Sequence, residues 1–174
     1  MFLHWLQEWR EPWLDLCMKA VTFLGNGGWF WILLGVLFLC RKNTQKMGMG
    51  MLLSLLLGFL VGNILLKNLI ARPRPCWLEP GVALLIPVPQ DYSFPSGHTL
   101  ASVEGALSIF WYNKKWGTAA LILAAWIAFS RMYLFVHFPT DILGGVCLGI
   151  VCTWIVNQWI LPWISKKMKN RIVI

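Results

Sequence analysis

Long apolar stretches alternate with short polar clusters along the chain. Residues 47–66, MGMGMLLSLLLGFLVGNILL, run for twenty positions without a charge, enough helix to cross a hydrocarbon core of roughly 30 Å. Similar stretches occupy about 29–40, 96–112, 116–135 and 139–164. Residues 2–24 are apolar and rich in tryptophan, with Glu8, Glu11, Asp15 and Lys19 three or four apart. That spacing predicts a helix with one polar stripe, either crossing with the stripe toward the bundle or lying in the interface. Gly25-Asn26-Gly27-Gly28 breaks it. The expectation is an all-α, polytopic membrane helical bundle of six helices in a single domain, 1–174, the first helix spanning or interfacial.

Two features refine the bundle. Gly58 and Gly62, and again Gly145 and Gly149, repeat a small residue every fourth position, the spacing of close helix contacts. Pro73 and Pro75 stop the third segment, and residues 71–92 hold five prolines. Such a loop must lie outside lipid or against protein.

Composition supports the membrane reading. Hydrophobic residues make up 58% of the chain and charged residues only 13%, with 12 tryptophans, against about a quarter charged in soluble domains. The net charge of +8 does not call for nucleic acid. Nine basic residues form three sets: Arg41, Lys42 and Lys46; Lys114 and Lys115; Lys166, Lys167, Lys169 and Arg171. Short basic loops mark the cytoplasmic side, which predicts a cytoplasmic C-terminus. The third segment then ends, the fourth begins, the fifth ends and the sixth begins on the extracytoplasmic face. The N-terminal stretch lacks the basic region and uninterrupted apolar core of a cleaved signal peptide and is expected to remain as structure. The five cysteines have no metal-ligand spacing; Cys17, Cys40, Cys147 and Cys152 suit packing, and Cys76 has no evident partner.

Three polar clusters share the predicted outer face. In residues 130–141, SRMYLFVHFPTD, His137 and Asp141 stand one helical turn apart. A carboxylate there can orient an imidazole whose other nitrogen serves as nucleophile or base; an acidic residue just after Pro139 is equally suited to a helix N-terminus. Ser96-Gly97-His98 opens a helix, as a cap or as an anion site with His98 as proton donor. Lys67, Arg72, Arg74 and Arg131 add four cations. Phosphate is the natural occupant of so positive a face, because guanidinium groups grip its oxygens two at a time.

Lys67-x6-Arg74-Pro75, Pro95-Ser96-Gly97-His98 and Ser130-Arg131-x5-His137-x3-Asp141 together resemble, in order and spacing, the three signature motifs of the type 2 phosphatidic acid phosphatase (PAP2) family. The resemblance covers residues 67–141, and the flanking segments fit a six-helix core. It implies a lipid phosphatase that uses no cofactor and no metal: His137 the nucleophile that forms a phosphohistidine, Asp141 its orienting partner, His98 the proton donor. Lys67, Arg74, Arg131, the Ser96 hydroxyl and the Gly97 amide would hold phosphoryl oxygens, with Arg72 a second phosphate contact or the rim. No carboxylate cluster or Cys/His spacing suggests a metal.

The expected partners are a lipid phosphate substrate and the surrounding membrane lipids, and the sequence sets no oligomeric state. Undecaprenyl diphosphate is favoured as substrate because that diphosphate is left on the outer side; phosphatidylglycerophosphate or phosphatidic acid is the alternative. Two readings of another class are a haem protein ligated by His98 and His137, and a lipid transporter without catalysis. Glu104, two turns into the fourth segment, is expected to be a buried structural partner rather than a substrate contact.

Overall fold

Every regular element is a helix among residues 2–172, which the computed structural model describes, with side chains through 167. Lys169 and Arg171 of the basic tail fall outside the described side chains. The elements are α1 (Phe2–Glu8), α2 (Pro12–Gly25), α3 (Trp29–Leu39), α4 (Gln45–Gly58), α5 (Lys67–Ile70), α6 (Pro75–Leu78), α7 (Gly97–Tyr112), α8 (Lys114–Tyr133), α9 (Pro139–Ile155) and α10 (Leu161–Ile172). π-helical stretches at Phe59–Leu66 and Val156–Ile160 join α4 to α5 and α9 to α10. Six long helices, α2, α3, α4, α7, α8 and α9, form the bundle. Three runs are long and apolar enough to cross a membrane: Pro12–Leu39, Gln45–Leu78 and Pro139–Lys167.

The N-terminal helix expected over 2–24 is instead two. Pro12 lacks an amide hydrogen and starts α2 afresh, while α1 packs Leu3 and Leu6 against Tyr133, Leu134 and Phe135 at one end of the bundle. Of the predicted polar stripe, Asp15 turns inward to accept from Tyr133 Oη at 2.7 Å, whereas Glu11 and Lys19 are exposed. The glycine break does not reverse the chain. Gly27 and Gly28 take left-handed φ of 57° and 68°, and α2 and α3 together make one kinked run of 28 residues.

α7 and α8 form a tight antiparallel hairpin: a Cβ on Gly117 would overlap the Phe110 backbone. α9 runs beside α7 in the same direction, with Gly145 against the Ser96 carbonyl and Gly149 against Val103. α4 runs opposite to both, Gly62 meeting Leu100 and Leu148 while Gly50 meets Asn157. These pairings bring the ends of α5 and α8 and the starts of α7 and α9 to one end of the bundle. The basic residues 41, 42, 46, 114, 115, 166 and 167 belong to the other.

The core between α3, α4, α7 and α8 contains Trp31, Met51, Ala106 and Ile127, and Trp31 Nε1 donates to Ser102 Oγ at 3.1 Å. Outward faces are as apolar as the core: Trp13 and Leu16 are 65% exposed, Leu143 and Trp163 62%. So large an apolar exterior belongs to a protein solvated by lipid.

Candidate active site

The three polar clusters meet. Lys67 opens α5 at the end of the π-helical stretch, an irregularity common at functional sites. Gly97 and His98 form the first turn of α7. Arg131 lies in the last turn of α8. His137 sits on the turn between α8 and α9, where buried Phe135 adopts a left-handed φ of 59°. A bulky residue there is strained by roughly 1–3 kcal/mol, a cost offset by its burial under α1. That reversal aims His137 back into the bundle.

His137 is buried, with Asp141 Oδ2 3.4 Å from its Nδ1. The carboxylate is held on several sides: Ser93 Oγ donates to Oδ2 at 2.5 Å, Phe138 N to Oδ2 at 2.8 Å and Arg72 Nη1 to Oδ1 at 2.7 Å. Asp141 therefore stands in both positions that its spacing suggested, accepting from the amide that opens α9 and lying beside the histidine. On the other ring nitrogen, Arg74 Nη1 approaches Nε2 to 3.0 Å. A guanidinium can only donate, so Nε2 presents its lone pair and the ring proton rests on Nδ1, facing Asp141. Burial holds the ring well below the ordinary histidine range, at about 3; Asp141 pulls it up, Arg74 and Arg131 push it further down. The imidazole is neutral at physiological pH.

A cavity of about 700 Å³ joins the rest. Lys67, Arg74, Asp91, Gly97, His98, Arg131 and His137 line its polar end. Lys67 pairs with Asp91, and Arg74 Nη2 donates to the same carboxylate at 2.7 Å. Burial would raise the Asp91 carboxyl, but the Lys67 hydrogen bond and charge, with Arg74, outweigh it and hold it near about 2. Arg131 Nη1 donates to Thr22 Oγ1 at 2.6 Å, and its buried Nε has no partner among the described residues. His98 Nε2 lies 2.9 Å from Asn26 Oδ1, on the break between α2 and α3. Toward the bundle interior the walls turn apolar, with Ile32, Leu52, Leu55, Leu56 and Phe59.

Two expected residues are placed differently. Ser96 is fully buried outside the cavity lining and caps α7, its Oγ accepting from Thr99 N at 3.5 Å and Thr99 Oγ1 at 3.1 Å. The hydroxyl beside His137 is Ser93, 3.4 Å from Nδ1. Arg72 stands behind Asp141, its guanidinium 4.1 Å over the Phe138 ring, and does not line the cavity. Glu104 is buried against Gly58 with its Oε1 unpartnered among the described residues, and it lines the apolar wall. Sequence reasoning missed Asn26, Ser93 and Asp91. Ser93 and Asp91 flank the Pro95 motif, which was the available signal; Asn26 was legible only as part of a helix breaker. Among the described residues, no group of three or more His, Cys, Asp or Glu is arranged to hold a metal ion.

The sequence and the fold have counterparts among known proteins. An undecaprenyl-diphosphatase of Sulfolobus acidocaldarius is 32% identical over 143 residues, which cover 80% of this chain and 65% of that protein; the chain thus spans just under two thirds of that relative's length. The crystal structure of LpxE from Aquifex aeolicus superposes with a TM-score of 0.80 at 27% identity, covering 91% of this chain and 93% of that one. A PAP2-type phosphatidylglycerolphosphate phosphatase from Bacillus subtilis gives 0.74 at 28%, covering 90% and 81%. The family model described as the PAP2 superfamily matches residues 47–165, a segment that takes in every one of the motif residues, and the chain belongs to that superfamily.

Proposed function

We propose that this PAP2 chain is a metal-independent phosphatase that hydrolyses a lipid phosphate or diphosphate at the outer membrane face through a phosphohistidine on His137. The observation that carries the reading is a buried imidazole with the Asp141 carboxylate 3.4 Å from Nδ1 and the Arg74 guanidinium 3.0 Å from Nε2, at the polar end of a cavity lined by cations. Nε2 forms a bond to phosphorus as the bond from phosphorus to the leaving oxygen breaks, and His98 gives that oxygen a proton. Asp141 stabilises the positive charge that the ring acquires. Lys67, Arg74, Arg131 and the Gly97 amide neutralise the equatorial oxygens. Water then attacks phosphorus as the nitrogen–phosphorus bond breaks, His98 takes up the water's proton and so regains the one it gave, and phosphate leaves.

The lipid character of the substrate is supported by the cavity's lower walls. Leu56 and Phe59, 54% and 51% exposed, line those walls, so a tail can lie against them while its phosphate reaches His137. Undecaprenyl diphosphate is the favoured substrate, since a relative 32% identical carries that activity in its name. The outer face is favoured because the basic residues gather at the opposite end of the bundle.

The test is phosphate release from polyprenyl and glycerolipid phosphates in detergent with chelator present. Activity is expected to survive chelation, to be highest on undecaprenyl diphosphate, and to fall at least about a thousandfold in His137→Asn. Activity in that variant, or its loss on chelation of the wild type, rules the mechanism out; a preference for phosphatidylglycerophosphate moves the substrate to the second candidate.

A further inference from the structure

Two of the cations that phosphoryl oxygens require, Lys67 and Arg74, are already in use. Lys67 Nζ donates to Asp91 Oδ2, Arg74 Nη2 to Asp91 Oδ1 at 2.7 Å, and Arg74 Nε to the Asp91 carbonyl at 2.7 Å. Arg74 Nη1 is divided between the Val136 carbonyl, 2.8 Å, and His137 Nε2, 3.0 Å. An attacking nitrogen needs its lone pair free, and here that lone pair points at a guanidinium N–H. The arrangement is therefore a resting one, held in place by Asp91.

Asp91 is built to leave and its partners are not. Its side chain is 56% exposed at the cavity mouth, whereas those of Lys67 and Arg74 are 8% and 3% exposed. The backbone on both sides is pinned: Trp77 Nε1 donates to the Pro89 carbonyl at 2.9 Å, and Ser93 N to the Arg72 carbonyl at 2.9 Å. The carboxylate can rotate out while the loop stays. Buried cations stripped of an anion are costly, so Lys67 and Arg74 must pass from one anion directly to another.

We infer that Asp91 is a built-in competitor for the phosphate site: its carboxylate holds Lys67 and Arg74 in the free protein, and an arriving phosphoryl group displaces it. The incoming oxygens take over both cations and draw Arg74 off His137 Nε2. This deepens the phosphatase reading and rests on it, and it makes Asp91 a specificity-determining residue. A phosphodiester, the headgroup linkage of bulk phospholipid, brings a single negative charge and gains little over a carboxylate already in place. A phosphate monoester or a diphosphate brings more charge and more oxygens, and displaces it. The competitor thus excludes the commonest anions of the surrounding membrane by raising the threshold for all of them.

The experiment uses the full chain in detergent and the Asp91→Asn variant. Removing the competing charge is expected to tighten inhibition by inorganic phosphate about tenfold or more. It is also expected to make the variant sensitive to phosphatidylglycerol in mixed micelles at levels that leave the wild type unaffected. Phosphate inhibition that is unchanged or weaker, with phosphatidylglycerol still inert, overturns the inference and leaves Asp91 a positioning residue. Because the substitution removes support from Lys67, the wild type supplies a second measurement. The chain has only three aspartates, Asp15, Asp91 and Asp141, so carboxyl carbon-13 resonances can be followed one by one. Saturation with inorganic phosphate is expected to shift that of Asp91 and to leave that of Asp15 in place; an unmoved Asp91 resonance with phosphate bound overturns the inference. A wild type that releases no phosphate from any lipid defeats the underlying phosphatase reading, whereas an active wild type with an indifferent Asp91 defeats this inference alone.

Discussion

At the scale of single residues, most of the charges about the site are held by another: Lys67 and Arg74 by Asp91, and Arg72 by Asp141. Asp91 also links that set to the stability of the free protein. Its folded carboxyl lies near about 2, against an ordinary 3.8, so the folded state prefers the ionised form. The stabilisation is complete above the ordinary value and is lost as pH falls through about 2. The melting temperature of the substrate-free wild type is therefore expected to drop between about pH 4 and pH 2 more steeply than that of Asp91→Asn, read by thermal denaturation in detergent. Parallel curves would show that the Asp91 pairs contribute nothing to folding. Much at this scale was legible in the sequence. His137, His98, Lys67, Arg74, Arg131 and Gly97 line one cavity, the convergence expected from polar clusters at the ends of neighbouring apolar segments. Of the two uses its place suggested for Ser96, the structure shows the cap, three residues before Thr99. Ser93 and Asp91 meet partners that lie in distant segments, Asp141 for the one and Lys67 and Arg74 for the other, so their place just before the Pro95 motif was the one signal of them.

Helices set the positions of these residues, and here glycine contacts decide the tolerances. A Cβ on Gly145 of α9 would stand 2.9 Å from the Ser96 carbonyl and 3.1 Å from Thr99 Cβ. Neither a carbonyl nor a Cβ on a packed helix can yield as a flexible side-chain tip would. Gly145→Ala is expected to push the first turn of α7, with Gly97 and His98, out of register, lowering kcat/KM by about tenfold to a hundredfold with a much smaller loss of melting temperature. A proportionate loss of both would place Gly145 in packing alone. The fourth-residue spacing of Gly145 and Gly149 predicted this close face, and the apolar runs predicted most helices. The break at Pro12 was missed because the periodicity of apolar and polar positions continues through it. The π-helical stretches were invisible for a similar reason: Phe59–Leu66 and Val156–Ile160 have compositions that any membrane helix shares, and the extra residue in the turn is settled by packing.

For the whole molecule, the sequence foretold an apolar exterior and polar clusters gathered at one end, since lipid solvates the outside and charge is admitted only where it is paired. It misjudged the first crossing by treating α2 and α3 as separate segments, because four residues rich in glycine usually mark a turn. Orientation is testable directly. A membrane-impermeant maleimide applied to intact cells is expected to modify a cysteine placed at Gln90, near the cavity mouth, and to spare one at Lys115, at the basic end. The reverse pattern would invert the protein in the membrane. The kink at Asn26–Gly28 has a consequence for the second half of the reaction. Backbone groups freed from helical pairing cannot face hydrocarbon, and Gly27 and Gly28 border the cavity beside His98. The polar backbone of that turn is thus directed to the cavity and away from lipid, and water drawn in to meet it would stand beside His98, within reach of the phosphoryl group in the proposed reaction.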